Sequence, residues 1–447
     1  MTHTSSSASD DAPEPAWQPQ PVLGLLLQDL FVLAMFSSLL LIGADRIAII
    51  AGGLTLRLVF PLLMLTFGFL FMQRGGAIAF DKTLSLLFLL LAIAGALSVI
   101  HSYDVVKSIG YTIWVLFDFF LIIALSYNFA KHYPPVQVLK IWFLVYRIHV
   151  VALLAEVAWN VSHGALGRPH LWFYESSYLA IFMSGYFGSA LYMFLSRGRQ
   201  CAPDFALSLV GMLATTSATG MFGMVFAVLL NFIVARQRIR LLIGSAVIAS
   251  AFFGMLFLMF RDTIYYRLVA DVFLQPGISS EIILTRAGNR WIRAAVGWEA
   301  FLSHPWFGVG IGGDVAYMQA EGVSDYARQF VKVTSDVENG QPFSNINVEV
   351  LGTMGMAGFL PFAAILMYAA GTMIRLIRRK HELAPVAIAF FIGFFSIFLA
   401  LQFESTFLRY YLWSPLGLAL GVMAQMRATT GVNGALPPLW QAAAARD

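Results

Sequence analysis

The sequence predicts an all-α integral membrane protein, with about twelve transmembrane helices and one large periplasmic loop that contains short helices. Of its 447 residues, 59% are hydrophobic and only 12% are charged, and the mean hydropathy is +0.76. These values lie far outside the range of soluble globular proteins. A spanning helix needs about 20 residues, so one membrane domain of roughly a dozen spans fits the chain.

Apolar runs separated by short polar connections locate the individual spans. The predicted spans cover residues 22–43, 47–72, 82–100, 108–130, 137–158, 174–196, 203–216, 218–236, 240–260, 345–374, 384–402 and 407–425. The small polar break TTSATG, residues 215–220, divides the seventh span from the eighth. The alternative is a kink within one long span, but that would place basic loops on alternating sides of the membrane.

Lysine and arginine are concentrated in the loops on one side of this arrangement, which sets its orientation. The loops predicted to be cytoplasmic carry Arg74, Lys82, Lys131, Lys140, Arg197, Arg199, Arg236, Arg238, Arg240, Arg375, Arg378, Arg379 and Lys380. The short outer loops carry only Arg46, Lys107 and Arg168. Both termini are therefore expected in the cytoplasm, and the segment from Arg261 to Phe343 on the periplasmic side of a bacterial inner membrane.

The chain divides into a membrane domain and two tails. Residues 1–20 are rich in Ser, Ala, Pro and Asp and predict a disordered cytoplasmic tail. Residues 21–426 form the membrane domain, which includes the periplasmic loop at 261–343, and residues 427–447 form a second cytoplasmic tail. No positively charged region precedes the first apolar run, so that span is expected to be retained. The lone Cys201 excludes an internal disulfide.

The stretch from Thr285 to Gly313 is the most informative part of the predicted loop. As a helix, it places Arg286, Arg290 and Arg293 on one stripe. The apolar face expected to pack lies opposite and consists of Trp291, Ala294, Ala295, Trp298 and Leu302. The helix should end before His304-Pro305, because proline disfavours helical geometry in the preceding residue. The arginines form either a basic face toward headgroups or solvent, or a site for a diphosphate, which guanidinium groups bind in a bidentate manner.

The glycines that follow, in GVGIGGD at residues 308–314, superficially resemble a nucleotide-binding loop. No strand precedes them, and no alternating pattern of strands and helices surrounds them. A tight turn that returns the chain to the membrane is the favoured interpretation. At the start of the loop, DTIYYRLVADVFLQ at 262–275 predicts a short helix on the membrane surface. The acidic residues near the end of the loop are interleaved with Tyr317 and Tyr326, a mixture suited to binding sugar hydroxyls.

Charged residues also cluster at the outer ends of other spans. Arg168, His170 and Glu175 precede or begin the sixth span, at a depth where charge is expensive and an inward-facing role is expected. The alternative is that they pair with one another and hold the loop down. Arg409 is expected to snorkel toward lipid headgroups.

Four carboxylates at outer positions are candidate general bases, and spacing alone does not choose among them: Asp314, Glu338, Glu349 and Glu404. The chain has no zincin-type histidine pair, no nucleophile elbow and no dense Asp/Glu constellation. The sequence therefore gives no support for a metal or another cofactor.

Several of these residues stand in patterns of the O-antigen ligase and O-antigen polymerase superfamily, which the chain resembles. Arg290 followed by HPWFGVG at 304–310 is similar to the family's arginine, helix and "hPlfGvGlg" turn. Asn345, Glu349, Gly355 and Gly358 are similar to the pattern of HN, E, G and G that comes next. Arg168 with Glu175-Ser176-Ser177 resembles the family's loop from an arginine to an "EPs" helix start, and TTSATG resembles its "TfSRt" break. The resemblance covers the last two thirds of the chain.

The resemblance implies a metal-independent membrane glycosyltransferase that acts on undecaprenyl-diphosphate-linked glycans at the periplasmic face. A hydroxyl of one glycan attacks the sugar carbon that bears the diphosphate lipid, and arginines stabilise the departing charge. Arg290 and Arg168 are expected to clamp the diphosphate, with help from Arg286 or Arg293. The candidate catalytic residues are thus Arg168, Glu175, Arg290 and Glu349, and the candidate substrate-binding residues are His170, Arg286, Arg293, His304, Asp314 and Asn345.

Two departures from the family patterns bear on the type of enzyme. Ser344 stands where the ligases carry a histidine that is proposed to activate the acceptor hydroxyl, which favours a polymerase of exopolysaccharide or O-antigen repeat units. The proline of the "EPs" start is Ser176. The alternatives are an O-antigen ligase that transfers polymer to the lipid A core of lipopolysaccharide, a flippase for lipid-linked oligosaccharides, and a non-catalytic envelope scaffold. Expected partners are the lipid-linked glycan, the bilayer, and a chain-length regulator or export complex, with no nucleic acid.

Overall fold

The computed structural model describes residues 22–44, 46–51, 54–164, 168–235, 280–321, 342–379, 381–405 and 407–431, which are almost entirely helical. The α-helices are Val22–Gln28, Leu30–Leu40, Val59–Gln73, Lys82–Ser98, Val105–Phe117, Ala124–His132, Pro135–Ser162, Ser176–Arg197, Ala202–Ala214, Ala218–Val234, Ser280–Ser303, Asp314–Glu321, Ile346–Ile377, Ala384–Ala400 and Tyr410–Gly431. Short 3-10 turns cover Val99–His101, Gly198–Cys201 and Leu401–Phe403, and a π-helical turn covers Asp118–Ile123.

Some sequence expectations concern residues outside this description. They are the tail at 1–20, the span at 240–260, the surface helix at 262–275, the end of the chain after residue 431, the carboxylate of Glu338 and the side chain of Arg286. These stay predictions.

Six helices of the described residues are long and apolar enough to cross a membrane: Lys82–His101, Val105–His132, Pro135–Ser162, Ser176–Ala214, Ile346–Ile377 and Ala384–Phe403. The pair Val22–Gln28 and Leu30–Leu40, bent by 112°, would add a seventh. Val59–Gln73 and Thr219–Val234 are apolar but shorter. The chain is therefore a multi-pass α-helical membrane protein, as predicted, whereas the count of twelve spans and the side on which each loop lies stay predictions.

The prediction of a helix from residue 47 is wrong at its beginning. Strands β1 (Ala48–Ala51) and β2 (Leu54–Arg57) pair in an antiparallel hairpin, and the helix begins only at Val59. Gly52 and Gly53 separate the strands in the sequence, and Gly-Gly is a pair that two-residue hairpin loops favour. Because an apolar run follows directly, the whole stretch from residue 47 was predicted as one membrane helix.

The break predicted at TTSATG is confirmed. The helix Ala202–Ala214 ends before it, and the next helix begins at Ala218. Thr216 has a φ of +51°, a conformation that a β-branched residue rarely adopts and that no α-helix contains. The two helices are therefore separate elements.

Three helices at the centre of the bundle bring their ends to one place. The Ala384–Ala400 helix is apolar on nearly every side, as an interior helix should be, and it packs against both Ser176–Arg197 and Tyr410–Gly431. The hydroxyl of Ser189 donates to the carbonyl of Ala389 at 2.7 Å across one of these contacts. The Ser176–Arg197 helix starts after Glu175, and the Tyr410–Gly431 helix starts after Arg409. The Ala384–Ala400 helix leads through a 3-10 turn to Glu404. Three charged side chains thus lie near the same end of the core.

The helix Ser280–Ser303 ends immediately before His304-Pro305, as predicted. Its predicted packing face is wrong in part: Ala295 packs as expected, whereas Trp298 and Leu302 do not, and the side chain of Trp291 lies outside the described residues. Ile292, Val296 and Ala300 are buried, whereas Trp298 and Leu302 are 47% and 62% exposed. The buried face includes Arg293, because this side of the helix packs against Phe343 and the Ile346–Ile377 helix.

The glycine turn, residues 308–313, docks onto a kink in the Ile346–Ile377 helix. At the kink, Gly355 has a φ of +60° and interrupts the helical geometry. The turn and Pro305 before it supply the hydrogen bonds that the kink leaves unmade. Val309 donates to the carbonyl of Gly352 at 3.0 Å, and Met356 donates to that of Pro305 at 2.8 Å. The backbone N–H groups of Gly308, Ile311 and Gly313 have protein partners as well. The turn therefore holds two elements together, in agreement with the structural interpretation of its glycines.

This docking predicts a large stability difference between two glycines of the same helix. A Cβ at Gly355 would lie 2.4 Å from the carbonyl carbon of Trp306, whereas one at Gly371 would meet nothing within 4 Å. Gly355→Ala should lower the free energy of unfolding by about 3 kcal/mol or more, from strain and collision together. The control Gly371→Ala should leave it unchanged or raise it by up to about 1 kcal/mol, because alanine favours helix. Thermal unfolding in detergent measures both, and equal effects would contradict the docking.

Candidate active site

Two arginines of the Ser280–Ser303 helix converge on one buried carboxylate. A guanidinium nitrogen of Arg290 hydrogen-bonds to Oε1 of Glu404, and Nη2 of Arg293 lies 3.9 Å from Oε2. The side chain of Glu404 is 3% exposed and that of Arg293 is 8% exposed, but that of Arg290 is 35% exposed. Arg290 is therefore the cation of this group that a substrate can reach.

The backbone around residue 345 fixes the position of Glu404. The N–H of Asn345 donates to the carbonyl of Glu404 at 3.0 Å. Nearby, Nη1 of Arg293 donates to the carbonyl of Pro342 at 3.3 Å. The arginine helix, the segment 342–345 and the turn after Phe403 are thereby joined at one point.

Burial and the arginines act on Glu404 in opposite directions. Burial raises the pKa of its carboxyl above the ordinary value, and the positive charges of Arg290 and Arg293 partly counteract this shift. A buried ion pair is stable only when its members satisfy one another, since the desolvation of each is expensive. Glu404 therefore supplies a negative charge that offsets part of the cost of burying Arg293.

A third arginine lies beside this group. The guanidinium carbon of Arg409 is 3.9 Å from the centre of the Tyr178 ring, and Tyr178 interacts with Glu404 as well. Stacking on Tyr178 therefore holds the Arg409 side chain against the protein, whereas its position relative to lipid headgroups stays a prediction. In the same corner, Ser177 donates to Oε2 of the exposed Glu175 at 3.2 Å and also interacts with Glu404.

Two more carboxylates form the acidic end of the site. Glu349 is buried, and its Oε2 accepts the N–H of Phe407 at 3.3 Å. Asp314 is also buried; it accepts the N–H of Phe343 at 3.1 Å, and Nζ of Lys107 lies 3.8 Å from its other oxygen. Asp314, Lys107 and Arg409 all lie within electrostatic reach of Glu349. The candidate bases Asp314 and Glu349 therefore belong to one site.

Among the described residues, Arg168 and His170 make none of the contacts of this site. Nε2 of His170 accepts from Arg46 at 3.0 Å, and Nδ1 is 2.9 Å from the carbonyl of Leu171. Glu156 accepts the backbone N–H groups of His170 and Leu171. Arg168 is exposed, and none of the hydrogen bonds or ion pairs among the described residues includes it. Arg46 and Glu156 therefore hold this loop down, and the clamp of Arg168 with Arg290 stays a prediction.

Other predicted substrate-binding residues have structural contacts. Asn345 has a φ of +71°, and its side-chain oxygen accepts the N–H groups of Asn347 and Val348, which caps the Ile346–Ile377 helix. His304 packs edge-on against Tyr103 and Tyr317, at 6.2 and 6.4 Å between ring centres. The side chain of Arg286 lies outside the described residues.

Sequence reasoning missed the partners that complete the site. In the sequence, Glu404 is one of four candidate bases that spacing does not distinguish. Lys107 counts only as a cation of an outer loop, and Arg409 is expected to reach lipid headgroups. The available signal was their common position at outer span ends, where intramembrane charge implies a partner. The pairing itself depends on how the helix ends meet, which spacing along the chain does not reveal. Among the described residues, no group of three or more His, Cys, Asp or Glu side chains is arranged to hold a metal ion.

Comparison with known proteins supports the resemblance that the motifs indicated. A family model described as O-antigen ligase matches residues 205–363. The matched region contains Arg290, Arg293, Asp314 and Glu349, whereas Glu404 lies beyond it. No curated protein sequence matches the chain. Over these residues the chain is similar to O-antigen ligases, and the match points to a glycosyltransferase-like membrane enzyme in general.

Proposed function

We propose that this O-antigen ligase-like protein polymerises undecaprenyl-diphosphate-linked oligosaccharide repeat units at the periplasmic face of the bacterial inner membrane, in the biosynthesis of a surface polysaccharide. The observation that carries the proposal is the convergence of Arg290 and Arg293 on Glu404. Backbone contacts of the segment 342–345 connect this group to the buried carboxylates of Asp314 and Glu349. A site with a cationic end and an acidic end suits the transfer of a sugar from an anionic leaving group to a hydroxyl.

The chemistry follows from these two ends. A hydroxyl oxygen of the acceptor glycan attacks the sugar carbon, the new glycosidic bond forms, and the bond from that carbon to the diphosphate oxygen breaks. The lipid diphosphate leaves with the bonding electrons, and Arg290 and Arg409 stabilise its charge. The hydroxyl proton passes to the carboxylate of Glu349 or Asp314. Because the arginines are fixed by Glu404 and Tyr178, little reorganisation is needed as charge develops.

An apolar groove beside the site supports a lipid-linked substrate. The groove has a volume of about 310 Å³ and is lined by Phe60, Pro61, Met64, Trp114, Phe117 and Leu121. Its Trp114 donates from the indole nitrogen to the carbonyl of Leu408 at 3.2 Å, next to Arg409, and Arg57 lies over the indole at 5.0 Å. A hydrocarbon chain in this groove would lie next to Arg57, on the side of the groove where Trp114 contacts Leu408.

The position of Ser344 favours a polymerase over a ligase. This serine stands where the ligases resembled by the chain carry their proposed activating histidine, and it is buried at 2% exposure. A serine hydroxyl does not take up a proton near neutral pH as an imidazole does. In a polymerase of this form the base would be a carboxylate.

Deletion of the gene distinguishes the candidate functions, because loss of each activity causes a different glycan to accumulate. We expect single repeat units that are still exported or ligated, seen by gel electrophoresis of cell-surface and lipid-linked glycans. Complementation with the wild-type gene is the control. Polymer that accumulates on its lipid carrier would instead indicate a ligase, and repeat units that stay on the cytoplasmic side would indicate a flippase.

A further inference from the structure

An aromatic group lies outside the arginine–Glu404 site, where the loop after Val99–His101 meets the Asp314–Glu321 helix. The ring centre of Tyr103 is 5.2 Å from that of Tyr317, and the two rings are perpendicular. His304 packs against both. Tyr317 is buried at 8% exposure, but Tyr103 remains 37% exposed. The buried rings therefore fix the orientation of an aromatic side chain that is still accessible.

An exposed carboxylate stands beside this ring. The hydroxyl of Tyr103 donates to Oε1 of Glu321 at 2.9 Å, and among the described residues Oε2 of Glu321 has no hydrogen-bond partner. An ionised carboxylate accepts several hydrogen bonds and donates none. An accessible aromatic face next to such an acceptor matches a pyranose ring, which has an apolar C–H face and hydroxyl donors around its edge.

The aromatic group is connected to the arginines through the acidic end of the site. Arg293 contacts the carbonyl of Pro342, the N–H of Phe343 contacts Asp314, and the Phe343 ring packs against Tyr317 at 6.2 Å. Glu321 closes the helix that Asp314 begins. Seven residues of helical rise separate them by roughly 10 Å, the length of about two sugar rings. In order of contact, Arg293 of the arginine–Glu404 group comes first, the candidate base Asp314 next, and the aromatic group last.

We propose that Tyr103 and Glu321, with His304 behind them, form a subsite for a sugar ring of the acceptor glycan, one or two sugars away from the attacking hydroxyl. The assignment to the acceptor follows from this order, because the subsite lies on the side of the base and away from the diphosphate cations. The proposed subsite rests on the glycosyl transfer proposed above.

The test separates binding of the acceptor from chemistry. Purified protein in nanodiscs is assayed with the host's lipid-linked repeat unit as donor at saturation and the same repeat unit, released from its lipid by mild acid, as acceptor. Tyr103→Leu and Glu321→Gln should each raise the KM for the acceptor about tenfold, which is about 1.4 kcal/mol of binding, with kcat within about twofold. Tyr103→Phe keeps the ring and should restore most of the affinity.

The matched control is Trp159→Leu, which removes an aromatic side chain that is 66% exposed at the end of another helix. It should leave the KM unchanged. An unchanged KM in Tyr103→Leu, or an equal rise in Trp159→Leu, would overturn the subsite. A fall in kcat alone would also overturn it, since it would indicate a structural role.

A binding readout keeps this proposal distinct from the proposed function. Hydroxyl-radical footprinting of the wild-type protein should show that the released repeat-unit oligosaccharide protects Tyr103 and leaves Trp159 unprotected. Absence of any transfer by the wild type, with Tyr103 protected, would reject the polymerase and retain a glycan subsite. Transfer without protection of Tyr103 would reject the subsite and retain the enzyme.

Discussion

Arg290→Ala should abolish polymer while the protein still inserts into the membrane. Arg290 is the more exposed of the two arginines that pair with Glu404, so its guanidinium is accessible to the departing diphosphate. Loss of one group that stabilises charge in the transition state lowers kcat by about 10²- to 10³-fold. Such a loss reduces a polymer ladder to single repeat units. Gel analysis of the glycan and the initial rate of transfer in nanodiscs measure the effect.

Two variants sharpen the interpretation of Arg290→Ala. Arg290→Lys keeps the charge but loses the bidentate geometry, so its activity should lie between those of the wild type and the alanine variant. Arg375→Ala removes an arginine whose contacts are with its own helix, at Gly371 and Thr372, and should leave polymer unchanged. A normal distribution of polymer chain lengths in Arg290→Ala would contradict the assignment of Arg290 to the departing diphosphate.

Glu404→Ala should both inactivate and destabilise the protein. It leaves Arg293 buried at 8% side-chain exposure with its carboxylate partner removed. Breaking a buried pair from one side costs about 3–5 kcal/mol, because the remaining charge stays desolvated. Unfolding in detergent, followed by tryptophan fluorescence, should show this loss. The exposed Glu382 provides the control, and Glu382→Ala should change stability by less than about 0.5 kcal/mol.

A double variant identifies the cause of that loss. Arg293→Met in the Glu404→Ala background removes the buried charge and should recover most of the lost stability, since an apolar replacement of a buried pair is often neutral. Activity should not return, because Arg290 would remain without its fixed partner. Glu404→Ala as stable as Glu382→Ala would show that the pair does not hold the site together.

The multi-pass helical character of the chain and the end of the arginine helix were predictable because they depend on local signals. The proline at 305 predicted the end of the helix at Ser303, and the small polar segment 215–220 predicted the break between two helices, which the structure has at 215–217. The glycines at 308–313 predicted a turn, and the structure adds that it docks at Gly355. Each of these features depends on the conformational preference of one or two residues.

The partners in the site were not predictable, because they depend on how distant helix ends meet. Glu404 lies more than one hundred residues beyond Arg290, and no spacing rule distinguishes it from Glu349. The prediction of the packing face of the arginine helix failed for the same reason. Periodicity assigns arginine to the polar face, but Glu404 supplies a buried partner that allows Arg293 to lie among Ile292 and Val296. The hairpin at 48–57 was missed because its strands continue into an apolar helix.

The claim that the arginines around Glu404 hold the diphosphate of the lipid carrier is tested most directly by binding of undecaprenyl diphosphate to the protein in nanodiscs. Undecaprenyl monophosphate serves as the competitor of lower charge. The wild-type protein should bind the diphosphate saturably and more tightly than the monophosphate, and Arg290→Ala should lose this preference while Arg375→Ala keeps it. Equal diphosphate affinity in the wild type and Arg290→Ala would contradict the claim.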